Sequence, residues 1–204
     1  MAMTPYKPFL GQTIQTTVPG LATDRGFIAH VQYSALQALL AVQDAIHATF
    51  ATSDVAVTTV TTNITNPTCP KNVTVTAGGV AADVKAVSVT ITGTNDLDEV
   101  ITEVMPAFTV NALSTEIGTK AFKTITSIAV PAMDGVGVTI DVGIGEKLGL
   151  PYKLTHNTVL AAAINNVREA VAPTVTVSPT AIESNTIDLD TALGGTVVDV
   201  YLIV

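Results

Sequence analysis

The chain reads as a mainly β protein, an antiparallel β-sandwich preceded by an extended N-terminal arm and one long α-helix. Three observations predict this. From residue 55 onward, short Val/Thr/Ile alternations are separated by clusters of Gly, Pro, Asn and Asp, the pattern of many short half-buried strands joined by tight turns. Before residue 24, Pro5, Pro8 and Pro19 exclude regular helix and bias their predecessors to extended backbone. Between these regions, apolar residues recur near a helical period. The expected plan is an arm over 1–23, a helix over 24–50 and a β-sandwich over 55–204, with a point of subdivision near 143–157.

The arm is not a polar tail. It carries Tyr6, Phe9, Leu10, Ile14 and Val18, and an apolar extended segment packs on its own domain or on a neighbouring subunit. In the helix, Asp24 is positioned as N-cap, where its carboxylate accepts from the free N–H groups of the first turn. Phe27, Ile28, Val31, Ala35, Leu39, Val42 and Ile46 form the apolar stripe, and Leu36 and Leu40 widen it. The opposite face offers Gln32, Gln37 and Gln43 rather than charges. Such a wide, uncharged helix suits a place between the β-domain and a neighbour, or one against a sheet of its own chain. The interface assigned from these residues is Tyr6, Phe9, Leu10 and Ile14 of the arm with Phe27, Val31 and Leu39 of the helix.

The strand candidates that follow are Val55–Thr61, Asn72–Thr76, Ala86–Thr92, Ile101–Val104, Phe108–Val110, Phe122–Val130 and Val136–Val142. Their rhythm is that of an immunoglobulin-like sandwich, without that fold's cysteine pair or tryptophan. Residues 143–157 read as a glycine- and proline-marked connection. In Val159–Val171, the alanines and Arg168-Glu169 favour helix, whereas Asn165-Asn166 makes a good turn; the balance goes to a hairpin. Thr174–Ser178, Thr186–Leu189 and a terminal strand Val197–Val204 complete the series. An apolar Tyr-Leu-Ile-Val ending belongs in a sheet rather than in a frayed tail.

Composition narrows the function. Hydrophobic residues make up 48% of the 204 and charged residues 13%, against about 25% charged in an average soluble protein. A surface so poor in charge is either covered by a partner, the preferred reading, or a neutral, Thr-coated β surface that stays in water. The net charge is −8 and the nine Lys and Arg do not cluster, so the basic face that phosphate contacts require is missing and direct nucleic-acid binding is not expected. No run approaches the roughly 18–20 apolar residues of a membrane span. The N-terminus lacks the apolar region of a secretory signal, so the chain is expected to stay in the cytoplasm until it assembles. Cys69, the one cysteine, reads as a small apolar filler in a turn.

Chemistry-bearing patterns are sparse. His30, His47 and His156 match no metal-binding spacing. Gly135-x-Gly137 and Gly143-x-Gly145 lack the third glycine and following helix of a dinucleotide loop and read as tight turns. Asp96-Leu97-Asp98-Glu99 reads as a solvated hairpin turn rather than a calcium loop. With 4% aromatic residues and no Trp, the chain is poorly equipped to bind or cleave sugars. No catalytic residue, cofactor or metal is expected, and the chain is read as non-enzymatic.

The run Val87-Ser-Val-Thr-Ile-Thr-Gly-Thr-Asn-Asp, then Asp98-Glu-Val-Ile-Thr-Glu, then Gly118-Thr-Lys-Ala-Phe-Lys-Thr-Ile-Thr-Ser-Ile, resembles a β-domain common in virion proteins of tailed bacteriophages. Val142-Gly-Ile-Gly-Glu-Lys-Leu-Gly-Leu-Pro and the ending Asn185-Thr-Ile-Asp-Leu…Gly-Thr-Val-Val-Asp-Val-Tyr resemble the same group. The resemblance covers about residues 70–204 and consists of strands and turns, not sites. Leu97-Asp98 stands where a turn glycine is expected, and Met105-Pro106 departs from the pattern. The resemblance implies a capsid-decorating or stabilising subunit of the virion, assembled in the host cytoplasm. Its partners would be the major capsid protein, other virion proteins and further copies of itself. A tail or head–tail connector component, or an immunoglobulin-like module adhering to the host surface, are the alternatives.

Overall fold

The computed structural model describes residues 13–15, 17–20, 22–24 and 26–204, and it is mainly β with antiparallel pairing throughout. A small hairpin joins β1 (Thr13–Gln15) and β2 (Ala22–Asp24), with Thr13 opposite Asp24. Asp24 is therefore a strand residue, not a helix cap. The expected helix over 24–50 is absent. In its place are β3 (Ile28–Tyr33), a turn and loop over 34–41, and β4 (Val42–Ala51).

Two features override the helical spacing. Ile28–Tyr33 also alternates with period 2, so that Ala29, Val31 and Tyr33 face one core while Ile28 and His30 are exposed. Ser34 then breaks the segment. Its N–H (2.8 Å) and Oγ (3.0 Å) both donate to Oε1 of Gln37, and its carbonyl accepts from Gln37 and Ala38. Partner strands distant in sequence supply the ladders, which no local spacing reveals.

The remaining strands are β5 (Thr58–Val60), β6 (Lys71–Gly79), β7 (Ser88–Thr94), β8 (Val100–Ala107), β9 (Thr115–Ile117), β10 (Thr124–Val130), β11 (Val138–Gly149), β12 (Val159–Ile164), β13 (Val167–Arg168), β14 (Thr174–Thr176), β15 (Thr186–Asp188) and β16 (Val198–Ile203). Most stand close to their expected places. Phe108–Val110 is not a strand: Phe108 is buried and its N–H donates to Val87 O, while Asn111 turns the chain at φ 56°. The hairpin expected in 159–171 is present as β12–β13, with Asn165 (φ 50°) and Asn166 (φ 62°) in the left-handed region that a two-residue hairpin turn requires. The acidic run 96–99 is the β7–β8 turn. Asn95 Oδ1 accepts from Leu97 N and Glu99 N there, and Asp98 sits at φ 61°. The terminal strand lies between β12 and β3, locked as its apolar sequence demands.

β11 organises the molecule. One side pairs with β6 along most of its length; the other pairs with β4 over Thr139–Ile144 and then with β15 at Leu148–Gly149. The strand thus runs through much of the segment read as a connection at 143–157. Gly143 and Gly145 are strand positions of close approach rather than turns. A Cβ on Gly143 would stand 2.1 Å from Val42 O, and one on Gly145 would stand 2.4 Å from Asn72 Oδ1.

Two buried clusters result. In the first, Val73, Val75, Val138, Ile140 and Val142 of the β4/β11/β6/β9 side meet Ile91, Met105, Ile125 and Ile128 of the sheet β5-β10-β7-β8. In the second, Leu148 and Ile187 meet Tyr33, Val198, Val200 and Leu202 of the sheet β13-β12-β16-β3. Each is a sandwich-like packing of inward residues from two sheets.

Candidate assembly interface

The loop 34–41 joins the two clusters at the surface. Ala38 at its centre is fully buried in the second cluster. Four successive carbonyls are then held from outside the loop. Thr68 Oγ1 donates to Leu36 O (2.8 Å), Cys69 Sγ to Gln37 O (3.6 Å), Gly195 N to Ala38 O (2.9 Å) and Lys71 Nζ to Leu39 O (2.6 Å). On this clamped backbone Leu36 is 72% exposed, Leu40 51% and Leu39 36%. A loop rich in exposed apolar surface is ordinarily mobile; one whose carbonyls are anchored in sequence loses little freedom on docking.

The clamp has an unusual chemistry. Lys71 is buried, and burial lowers its ammonium below the usual lysine range. Its ammonium donates to a backbone carbonyl, that of Leu39, rather than to a carboxylate. Burial pushes the Cys69 thiol up to about 11, so it stays protonated and unreactive at neutral pH, in keeping with a filler role. Tyr33 lies nearby, its hydroxyl donating to Gly149 O (2.8 Å), and burial raises its ionisation far above the ordinary phenol value.

A second exposed surface adjoins the first along β3, which ends its sheet with no described strand on its outer edge. Ile28 (68% exposed), Phe27, Ile203 and Tyr201 stand on this side. They surround a polar group assembled from both ends of the chain. His30 Nε2 lies 2.7 Å from Asp199 Oδ1, Gln32 Nε2 donates to the same oxygen (2.9 Å), and the Tyr201 ring stacks on His30 at 4.6 Å and 7°. The bonds from Gln32 and then His30 lower the Asp199 carboxyl below its usual range. No serine or cysteine completes a nucleophilic arrangement on the described contacts of His30, and among the described residues no three His, Cys, Asp or Glu side chains converge as metal ligands.

Of the residues assigned to the interface from sequence, Phe27 and Leu39 are on this surface. Phe27 exchanges main-chain hydrogen bonds with Val204. Val31 faces the second core opposite Val200. Ile14 lies on β1; Tyr6, Phe9 and Leu10 lie outside the described residues. Leu36, Leu40 and Ile28 belong to the surface although the sequence placed them on a helix stripe. Thr68 and Lys71, which hold it in shape, carried no signal, since their partners lie 32 residues away.

Next to the loop, a concavity of about 530 Å³ is lined by Ala41, Asn72, Thr74, Ile117, Gly145, Glu146, Lys147 and Asp188. Asn72 lies flat against Gly145, donating to Gly118 O (3.0 Å) and accepting from Lys147 N (3.0 Å). Comparison with protein families, curated proteins and solved structures gave no match.

Proposed function

We propose that this chain is a non-catalytic structural subunit of a larger assembly, and specifically a virion protein of a tailed bacteriophage that decorates or stabilises the capsid. The observation that carries the structural-subunit reading is the clamped loop: three leucines held out to solvent on a backbone whose carbonyls are individually anchored. A monomeric protein gains nothing from rigid exposed leucines, whereas a subunit that docks repeatedly gains affinity from pre-organisation. The virion part rests on the sequence resemblance over residues 70–204. Repeated weak contacts between many copies and the capsid lattice would add through avidity.

An immunoglobulin-like assignment of the first sheet pair belongs to the same reading. The β6–β9 pair and the order β10-β7-β8 follow that fold's neighbours. β5, early in the chain, takes the place beside β10 where the fold's last strand belongs, and β11 takes the first strand's place beside β6.

The test is the chain's location and stoichiometry in intact particles by electron microscopy. Copies in fixed ratio to the major capsid protein are expected. A few copies confined to the tail would overturn decoration, and absence from particles would overturn the virion role.

A further inference from the structure

We propose that Lys120 and Asn95 join in an intramolecular isopeptide bond, with Glu183 carrying the protons; the proposal stands independently of the structural-subunit reading. The three side chains come from separate segments. Asn95 opens the β7–β8 turn, Lys120 lies between β9 and β10, and Glu183 sits in the 3₁₀ turn Ile182–Ser184. One carboxylate stands between the two partners. Lys120 Nζ lies 3.8 Å from Glu183 Oε1, and Asn95 Nδ2 donates to Glu183 Oε2 (3.2 Å). Asn95 and Glu183 are buried, which shields the Asn95 amide from water, the competing nucleophile. The other described lysine–carboxylate pairs differ: neither Asp134 beside Lys85 nor Asp98 beside Lys123 has a side-chain amide among its described contacts.

Main-chain contacts hold the group in place. Glu103 Oε1 accepts from Thr119 N (2.6 Å) and Lys120 N (3.3 Å), which fixes the backbone from which the lysine extends. Glu183 O accepts from Ala121 N (2.8 Å), so the turn carrying the carboxylate is tied to the residue after the lysine. Asn95 Oδ1 accepts from both Leu97 N and Glu99 N (3.0 Å each). These two N–H groups are aimed at the oxygen on which charge develops when an amine adds to the Asn95 carbonyl carbon, as an oxyanion hole requires. Lys120 Nζ donates to Thr102 O (3.0 Å), and its flexible four-carbon stem lets it leave that carbonyl for the amide carbon.

Glu183 takes a proton from the Lys120 ammonium, and the free amine attacks Asn95 Cγ. The Nζ–Cγ bond forms and the Cγ–Nδ2 bond breaks. Of the three ammonium protons, one stays on the new amide nitrogen. Two pass through Glu183 to Nδ2, which departs as ammonium. Glu183 ends as the carboxylate it began as, and the balance needs no oxidant or other reactant. The event occurs once within one chain and is not turnover. Its product ties the β7–β8 turn covalently to the segment leading into β10.

The experiment is intact-mass spectrometry of the purified full chain, followed by tryptic mapping. A folded chain lighter by one ammonia than its sequence requires is expected. Trypsin should no longer cleave after Lys120, so the peptide over 86–123 stays whole, and its fragmentation should give no backbone ions between 95 and 120. A folded chain at its full sequence mass would overturn the proposal. So would a lost ammonia that persists in Lys120→Arg, which marks ring closure of Asn95 on its own backbone. Glu183→Gln, with folding checked by far-ultraviolet circular dichroism, should form the bond at least about a hundredfold more slowly; an undiminished rate would overturn the role of Glu183. If that variant fails to fold, the parent mass and Lys120→Arg still decide.

Discussion

Replacing Leu36 and Leu40 together with serine separates docking from folding. Fully burying a leucine contributes about 1.5–3 kcal/mol. In the free chain Leu36 is 72% and Leu40 51% exposed, so the area still available to a partner corresponds to roughly 2–4 kcal/mol for the pair. Loss of that term weakens association by about 30- to several-hundred-fold. The folded chain should barely notice, because neither side chain belongs to a buried cluster and surface changes of this kind usually stay within about 0.5 kcal/mol. The clamp holds the loop by the backbone carbonyls of residues 36–39 and by none of the leucine side chains, so serine at 36 and 40 keeps it. The assay is co-sedimentation with particles lacking the chain, with urea denaturation as the stability control. Unchanged binding with unchanged stability would refute the interface. A large loss of stability would refute the claim that these leucines are free of the fold.

Three further outcomes follow from the same contacts. Lys71→Met should abolish one limb of the pH profile. The native lysine sits below its usual 10.5, so the unfolded state binds the proton more tightly, and the parent should gain stability relative to the variant as pH rises toward about 10.5. Cys69 acts oppositely in that range but is common to both chains, so parallel urea midpoints at pH 7 and 10 would contradict the buried-ammonium account. Asp199→Asn should remove an acid limb. The lowered carboxyl stabilises the parent above its usual pKa, and that advantage should fade as pH falls through the lower folded value; equal acid unfolding of both chains would argue against the His30–Asp199–Gln32 group. Ile140→Ala, at a fully buried position of β11, should cost about 2–5 kcal/mol by denaturant titration, and a cost under 1 kcal/mol would mean the first cluster is not packed around that strand.

The contrast between residues 87–130 and 24–50 shows what a single sequence can carry. In Val87–Thr92 alternation, hydroxyl-rich outward positions and nearby turn residues all agree, and the strand stands close to its expected place. In 24–50 two periods coexist. The 3–4 spacing of Phe27, Val31, Ala35 and Leu39 fits a helix, while Ala29, Val31 and Tyr33 fit a strand. What decides between them is the offer of β16 and β11 as partners, each far away in the chain.

By itself, the sequence determined the antiparallel β character, the tight turns at 95–98 and 165–166, and the burial of the apolar C-terminal strand. These depend on local pattern and on residues, such as Asn, that tolerate left-handed backbone. Only the tertiary structure decided that β11 would be one long strand shared by two cores, because Gly143 and Gly145 look like turn residues until Val42 and Asn72 pack against them. It also decided that Leu36, Leu39 and Leu40 would be presented rather than buried. Their exposure is set by Thr68, Cys69, Lys71 and Gly195 holding the loop's carbonyls, and hydrogen bonds between segments so far apart in the chain leave no periodicity to read.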